Sequence, residues 1–223
     1  MHAYLGHDER RPAPLILGHE AAGIISGGKR DGERVTINPL VSCGDCLVCK
    51  ARRENICPNR QIISMPPREG AFAQYVSMPE KNLVIVPNDY PLEKAALVEP
   101  LAVGWHTAKL AVRALDVTME KRALVIGGGA IGLATALALK AMGIDDLTIS
   151  EFNPLRRENL LHHIDANVVE KSEGLFPIVI DAVGFASTRS AASQLVSPGG
   201  IIAHVGLGNN AAVSYTHLRA HET

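Results

Sequence analysis

The sequence predicts an α/β protein, with a doubly wound parallel sheet preceded by a smaller β-rich unit that carries a metal-binding lobe. Three observations carry this expectation. From Arg122 to Val205, short apolar runs alternate with helix-forming stretches, the pattern of a parallel sheet with crossover helices. The turn Gly127-x-Gly129-x-x-Gly132 sits between the first of those runs and its helix. Upstream, Cys43, Cys46, Cys49 and Cys57 are crowded among apolar segments broken by Gly and Pro, as in an irregular β unit.

In the second region, Ala123–Ile126 reads as a buried strand and the Ala- and Leu-rich stretch Leu133–Met142 as its helix, stopped by Gly143. Leu147–Ser150 is the next strand, with Glu151 at its carboxyl end. The three glycines fit a tight turn, close approach of a pyrophosphate, and close helix–strand packing. The amides of Ala130, Ile131 and Gly132, at the start of the helix, suit phosphate oxygens. Glu151 lies 19 residues beyond Gly132, close to the spacing of an acid that binds ribose hydroxyls. Such an acid repels a 2′-phosphate, so NAD is expected over NADP. Arg156 and Arg157 leave two readings open: they cover the adenosine ribose, or they are solvated charges at the start of the next helix.

That helix is expected over Pro154–His162, followed by strands at Ala166–Val169 and Pro177–Ala182 with a connection too short for a full crossover helix. A helix at Ser187–Leu195, a turn at Ser197–Gly200 and a strand at Ile201–Val205 complete the Rossmann-type pattern. Ligands bind at the carboxyl ends of such strands, so Val183, Gly184, Val205 and Gly206 are expected to edge the cofactor crevice.

The cysteines have the spacing C-x2-C-x2-C-x7-C. Four thiolates close a tetrahedral zinc shell without an open position, which makes a structural site. Disulfides and an iron–sulfur cluster are the competing readings. Lys50, Arg52 and Arg53 offset the charge of such a shell. Around the lobe, Val35–Asn38, Ala71–Ser77 and Asn82–Pro87 read as strands, Pro91–Leu97 begins a helix, and Glu99-Pro100 opens a longer one to about Leu115. Glu99 is either a helix cap or a functional carboxylate, and pattern alone favours the cap. His19, in Gly18-His19-Glu20, reads on its own as a turn histidine.

Composition narrows the function classes. A net charge of −1 gives no electrostatic pull toward nucleic acid or an anionic membrane. With 47% hydrophobic but 4% aromatic residues, the apolar content is mostly aliphatic, as parallel sheets require. Lys140 interrupts the best candidate for a membrane span. His2, His7, Asp8 and Glu9 do not open a secretory signal, so a cytoplasmic setting is expected, where clustered cysteines bind metal. Val213–Thr223 fits neither period and resembles translated sequencing adapter, so it is set apart from the fold.

Residues 1–212 resemble the zinc-dependent medium-chain alcohol and polyol dehydrogenases. The matching motifs are GHEAAG at 18–23, GERV at 32–35, the cysteine lobe, GAFAQYV at 70–76, LVEPLAV at 97–103, GGGAIG at 127–132 and DAVG at 181–184. The resemblance implies a GroES-like catalytic domain over 1–104, a Rossmann NAD-binding domain over 105–212 and an active site between them. It also implies a catalytic zinc held by His19, with Glu20 and Glu99 as ligands or near-ligands, and a parent homodimer or homotetramer. His2 matches the family's proton-relay histidine, or is a solvated terminal residue. The family's catalytic Cys has no counterpart, and its last sheet strand is absent. The chain therefore reads as part of a parent enzyme that passes hydride from a secondary alcohol to NAD, and as inactive by itself. A zinc-stabilised NAD-binding module without turnover, or a bare sequence fragment, are the alternatives. With no Cys after residue 57, the third position must be oxygen or water, which suits chelating polyols, sugar alcohols or threonine over ethanol.

Overall fold

The computed structural model describes residues 4–6 and 8–208. His2 and the 213–223 tail lie outside the described residues. The chain divides into two compact units, Met1–Glu99 and Pro100–Thr223.

The first unit is built from short elements. Strands β1 (Ala22–Ile24), β2 (Arg34–Ile37) and β5 (Leu83–Ile85) form an antiparallel sheet in the order β1-β2-β5, while β3 (Leu40–Val41) pairs with β4 (Gln61–Ile62). Helix α1 (Leu47–Lys50) lies within the cysteine lobe, and α2 (Leu92–Ala95) follows β5. Val35 and Ile37 of β2 are buried, and the Thr36 hydroxyl donates to the carbonyls of Ala21 and Ala95. This central strand thereby binds the segment after Glu20 to the segment before Glu99.

Two expectations fail here. Ala71–Ser77 forms no strand. Its first amides do pair, with Ala71 donating to the Gly18 carbonyl and Phe72 to that of Leu17, both at 2.9 Å. The apolar side chains that suggested alternation, Phe72 and Tyr75, are 78% and 79% exposed, so no face of the segment is buried and no ladder forms. Glu99 is not a cap: helix α3 runs Val98–Ala114 and holds Glu99 in its first turn.

The second unit holds a five-stranded parallel sheet in the order β10-β9-β6-β7-β8. The strands are β6 (Arg122–Ile126), β7 (Asp146–Ser150), β8 (Asn167–Val169), β9 (Phe176–Asp181) and β10 (Val196–His204), and the helices are α4 (Ala130–Ala141), α5 (Pro154–Leu161) and α6 (Ala186–Leu195). Strands β6 and β9 sit at the centre and are buried on both faces, which explains their unbroken apolar runs. One core cluster gathers Val125, Leu139, Ile149, Leu160, Ile178 and Ile180, and a second joins Leu124, Val179 and Ala192.

Helix α4 starts three residues before the expected position, because Gly132 packs inside its first turn. Residues 197–200, expected as a turn, are absorbed into β10. The strand keeps a register irregularity between Val196 and Ile201, with Gly199 at φ +76°, so turn and strand coincide. Between β8 and β9 the chain crosses in six residues with no helix, as their number demands.

Candidate active site and cofactor crevice

The sheet passes from β6 outward through β7 to β8, then returns to β9 and continues outward to β10. The order therefore reverses between β6 and β9, where a doubly wound sheet opens its ligand crevice. Gly127 begins the loop there at φ +96°, and a Cβ on it would stand 2.5 Å from Val183 Cγ2. A Cβ on Gly132 would collide with the Gly127 carbonyl, which makes this glycine a packing requirement of the helix on its turn. Gly129 differs: a Cβ there would meet nothing within 4 Å, and no side chain caps α4. The amides of Ala130, Ile131 and Gly132 thus head a helix whose positive end faces open space, the geometry that accepts a pyrophosphate.

Glu151 is 8% exposed at the end of β7. Gly128 N–H donates to its Oε2 and Asn153 N–H to its Oε1, both at 2.9 Å. Arg156 Nη1 stands 3.7 Å from Oε2, so the arginine answers the acid while remaining mostly exposed. Arg157 donates to the carbonyls of Glu151 and Phe152 at 2.8 Å, which binds it to the backbone. Val183 and Gly184 follow β9 after Ala182, and Val205 and Gly206 follow β10 directly. The two loops meet glycine to glycine, since a Cβ on Gly184 would overlap the Gly206 carbonyl.

Sequence reasoning quoted Asp181 in its motif but gave it no role. It is fully buried, and its Oδ1 accepts from the amides of Val183 and Gly184 at 3.0 and 2.9 Å. Its carbonyl accepts from Val205 and Gly206. A single acid therefore fixes both strand-end loops. The available signal was an acid closing an otherwise apolar strand, since a buried carboxylate needs partners.

In the first unit, His19, Glu20 and Glu99 each bring one ligand atom to within 4.8 Å of the others. Burial pushes the His19 pKa down, aided by the charge of Arg11 and opposed by that of Glu20. A neutral imidazole keeps a lone pair available. Burial raises the Glu99 pKa, and the neighbouring Glu20 charge adds to the rise. A buried carboxyl that resists ionising, a second carboxylate and an imidazole kept neutral by burial form a donor set that a divalent cation would stabilise.

The four cysteine sulfurs also lie within 4.8 Å of one another. Four of the separations are 3.4, 3.5, 3.9 and 3.9 Å. A zinc tetrahedron with bonds of about 2.3 Å has edges of about 3.8 Å, so the set fits that ion. The thiols are free, which removes the disulfide reading from these positions. Backbone amides of Asp45 and Cys46 and the Cys57 thiol lower the Cys43 pKa to about 6, whereas burial pushes that of Cys49 up to about 12. Lys81 Nζ donates to the Ser42 carbonyl at 2.8 Å, a cation beside the lobe that sequence distance concealed.

These features define a class: a metal-binding β-rich unit joined in one chain to a dinucleotide-type α/β unit. The chain belongs to the zinc-type medium-chain alcohol dehydrogenase family. Residues 1–88 match the alcohol dehydrogenase GroES-like domain. The chain is 31% identical over 226 residues to L-galactonate-5-dehydrogenase of Escherichia coli (strain K12), covering 93% of this chain and 64% of that protein. It is 38% identical over 151 residues to sorbitol dehydrogenase of Bacillus subtilis (strain 168), covering 65% and 42% respectively. A zinc-binding dehydrogenase from Sinorhizobium meliloti, solved with NADP, superposes with a TM-score of 0.82 at 26% identity, covering 95% of this chain and 67% of that one. The chain therefore spans between about two fifths and two thirds of the relatives it matches. No helix among the described residues is long and apolar enough to cross a membrane.

Proposed function

We propose that this chain supplies the metal site and cofactor crevice of an NAD-dependent zinc dehydrogenase acting on secondary alcohols of the polyol, sugar-acid or threonine type. The observation that carries the reading is the convergence of His19, Glu20 and Glu99, with no Cys after residue 57 to provide a thiolate. Cys43, Cys46, Cys49 and Cys57 would hold a second, structural zinc. His19 would contribute a neutral nitrogen, and Glu20 and Glu99 the oxygens. What zinc supplies when bound there is Lewis-acid polarisation of an alcohol oxygen.

The chain's own groups do the rest. The open space before Gly129 and the amides of Ala130–Gly132 receive the pyrophosphate. Glu151 retains lone pairs for the adenosine ribose and disfavours a 2′-phosphate, which supports NAD, and Arg156 moderates that preference. Val183, Gly184, Val205 and Gly206 border the nicotinamide half. His2, by family resemblance, would relay the proton. Four free thiols support a reducing, cytoplasmic setting. The relatives named for sorbitol and L-galactonate support a polyhydroxylated substrate.

A ligand set rich in oxygen leaves a harder metal that suits two neighbouring substrate oxygens. The test measures kcat/KM of the full-length parent for vicinal diols against matched mono-alcohols with zinc and NAD held fixed. Diols are expected to be preferred, and the reverse order overturns the polyol reading.

A further inference from the structure

His204 closes β10 directly opposite Asp181 of β9 in the parallel register. Its Nδ1 stands 3.2 Å from Asp181 Oδ2. The other carboxylate oxygen is already taken by the amides of Val183 and Gly184. Facing a carboxylate, Nδ1 carries the proton, and the imidazole is held at the strand ends with its side chain partly open to solvent. Nothing in the proposed hydride-transfer chemistry uses this pair.

Its position gives it a ligand to act on. The acid at the end of β7, Glu151, marks the adenosine half of the crevice, so the nicotinamide half lies across the reversal point, over the ends of β9 and β10. That ring carries a positive charge in the oxidised cofactor and none in the reduced one. We propose that the Asp181–His204 pair distinguishes the two redox forms of the cofactor by charge, favouring NAD over NADH while His204 is neutral and losing that preference when His204 is protonated. The proposal rests on the cofactor reading above.

The other groups facing His204 do not reproduce the effect. Asp181 is buried and held by amides, and the loops at 183–185 and 205–208 carry no charge. Helix α6 contributes Arg189, one turn before the buried Ala192, which is a cation throughout the relevant range. β6 and its turn bring Ile126 and glycines. Among the described residues around it, His204 is the imidazole, the side-chain type whose charge responds to physiological pH. An added unit charge in partly solvated surroundings changes the affinity of a charged ring severalfold and leaves that of a neutral ring nearly unchanged.

The experiment measures Kd for NAD, NADH and ADP-ribose, which lacks the ring, on the chain at about pH 8 and about pH 5.5. The ratio Kd(NAD)/Kd(NADH) is expected to rise by about 3- to 10-fold on acidification, with ADP-ribose giving no matching change. In His204→Gln, whose amide can still donate to Asp181, the ratio is expected to be independent of pH. A second measurement uses no variant: the His204 ring signals, followed by NMR, should titrate at lower pH with NAD bound than with NADH bound, because the coupling is reciprocal. A flat wild-type ratio, a pH step that survives in His204→Gln, or identical titrations with the two cofactors overturns the proposal while ADP-ribose binding upholds the cofactor reading. Failure of ADP-ribose to bind overturns both.

Discussion

Gly128 donates its amide to Glu151 Oε2 at 2.9 Å, which ties the glycine turn after β6 to the end of β7. The acid is thus part of the turn's scaffold as well as a candidate ribose acceptor. Replacing Glu151 with Ala leaves the amides of Gly128 and Asn153 without their acceptor, at a cost of about 2–4 kcal/mol. Thermal unfolding should show a lowered Tm, and cofactor titration a weakened preference for NAD over NADP. An unchanged ratio of the two affinities removes Glu151 from the ribose site.

The glycines of the turn divide by function. Gly132→Ala drives a methyl into the Gly127 carbonyl and should destabilise the second unit by about 2–4 kcal/mol. Gly129→Ala meets no protein atom and should leave Tm nearly unchanged, yet weaken dinucleotide binding by about tenfold or more by occupying the space before the helix. Calorimetry and cofactor titration on the two variants test the contrast. Equal effects of both changes on binding and on Tm would contradict it.

The cysteine lobe makes a prediction about reactivity. Without metal, Cys43 is exposed and its pKa is lowered to about 6, so it is a thiolate at neutral pH, whereas Cys49 is buried and raised to about 12. At pH 7.5, iodoacetamide followed by peptide mapping should label Cys43 first and Cys49 last. The sign of the linkage is that of a depressed acid: the contribution of Cys43 is present above its ordinary value and fades as pH falls through about 6. Zinc should suppress labelling at all four positions.

Glu99 has the opposite sign. Burial first, and then the Glu20 charge, raise its pKa, so its ionised form opposes folding. The stability it offers is complete below the ordinary carboxylate range and is lost as pH rises through the raised value. Glu99→Gln should therefore raise the Tm of the metal-free chain at neutral pH, by about 1–2 °C once solvent screening is allowed for. The same variant should weaken zinc affinity at this site by about tenfold or more. A lower Tm, or zinc affinity equal to that of the wild type, counts against the ligand role.

The sheet was the legible part of the fold. Parallel strands buried on both faces must be continuous apolar runs, and Ala123–Ile126 and Ile178–Ile180 are such runs. The four-cysteine set was legible because its ligands lie close in sequence. Ala71–Ser77 misled because alternation encodes a strand only when one face is covered, and Phe72 and Tyr75 are not. Glu99 misled because whether an acid stands before or inside a first turn depends on where the helix begins, and Val98 starts α3 one residue earlier. Asp181 and Lys81 stayed hidden because their roles depend on partners far apart in sequence or on backbone amides that carry no residue-specific signature.

Every candidate metal ligand described here lies between His19 and Glu99, and the crevice is complete only at Gly206. During synthesis from the N-terminus, the 107 residues from Pro100 through Gly206 take about 5–20 s to translate. A nascent chain therefore presents its thiols, imidazole and carboxylates to the cellular metal supply well before it can hold a nucleotide. Metal loading can precede completion of the nucleotide unit, and a shortage of zinc would be felt first on the ribosome, where uncovered thiolates meet oxidants while the sheet is still being made.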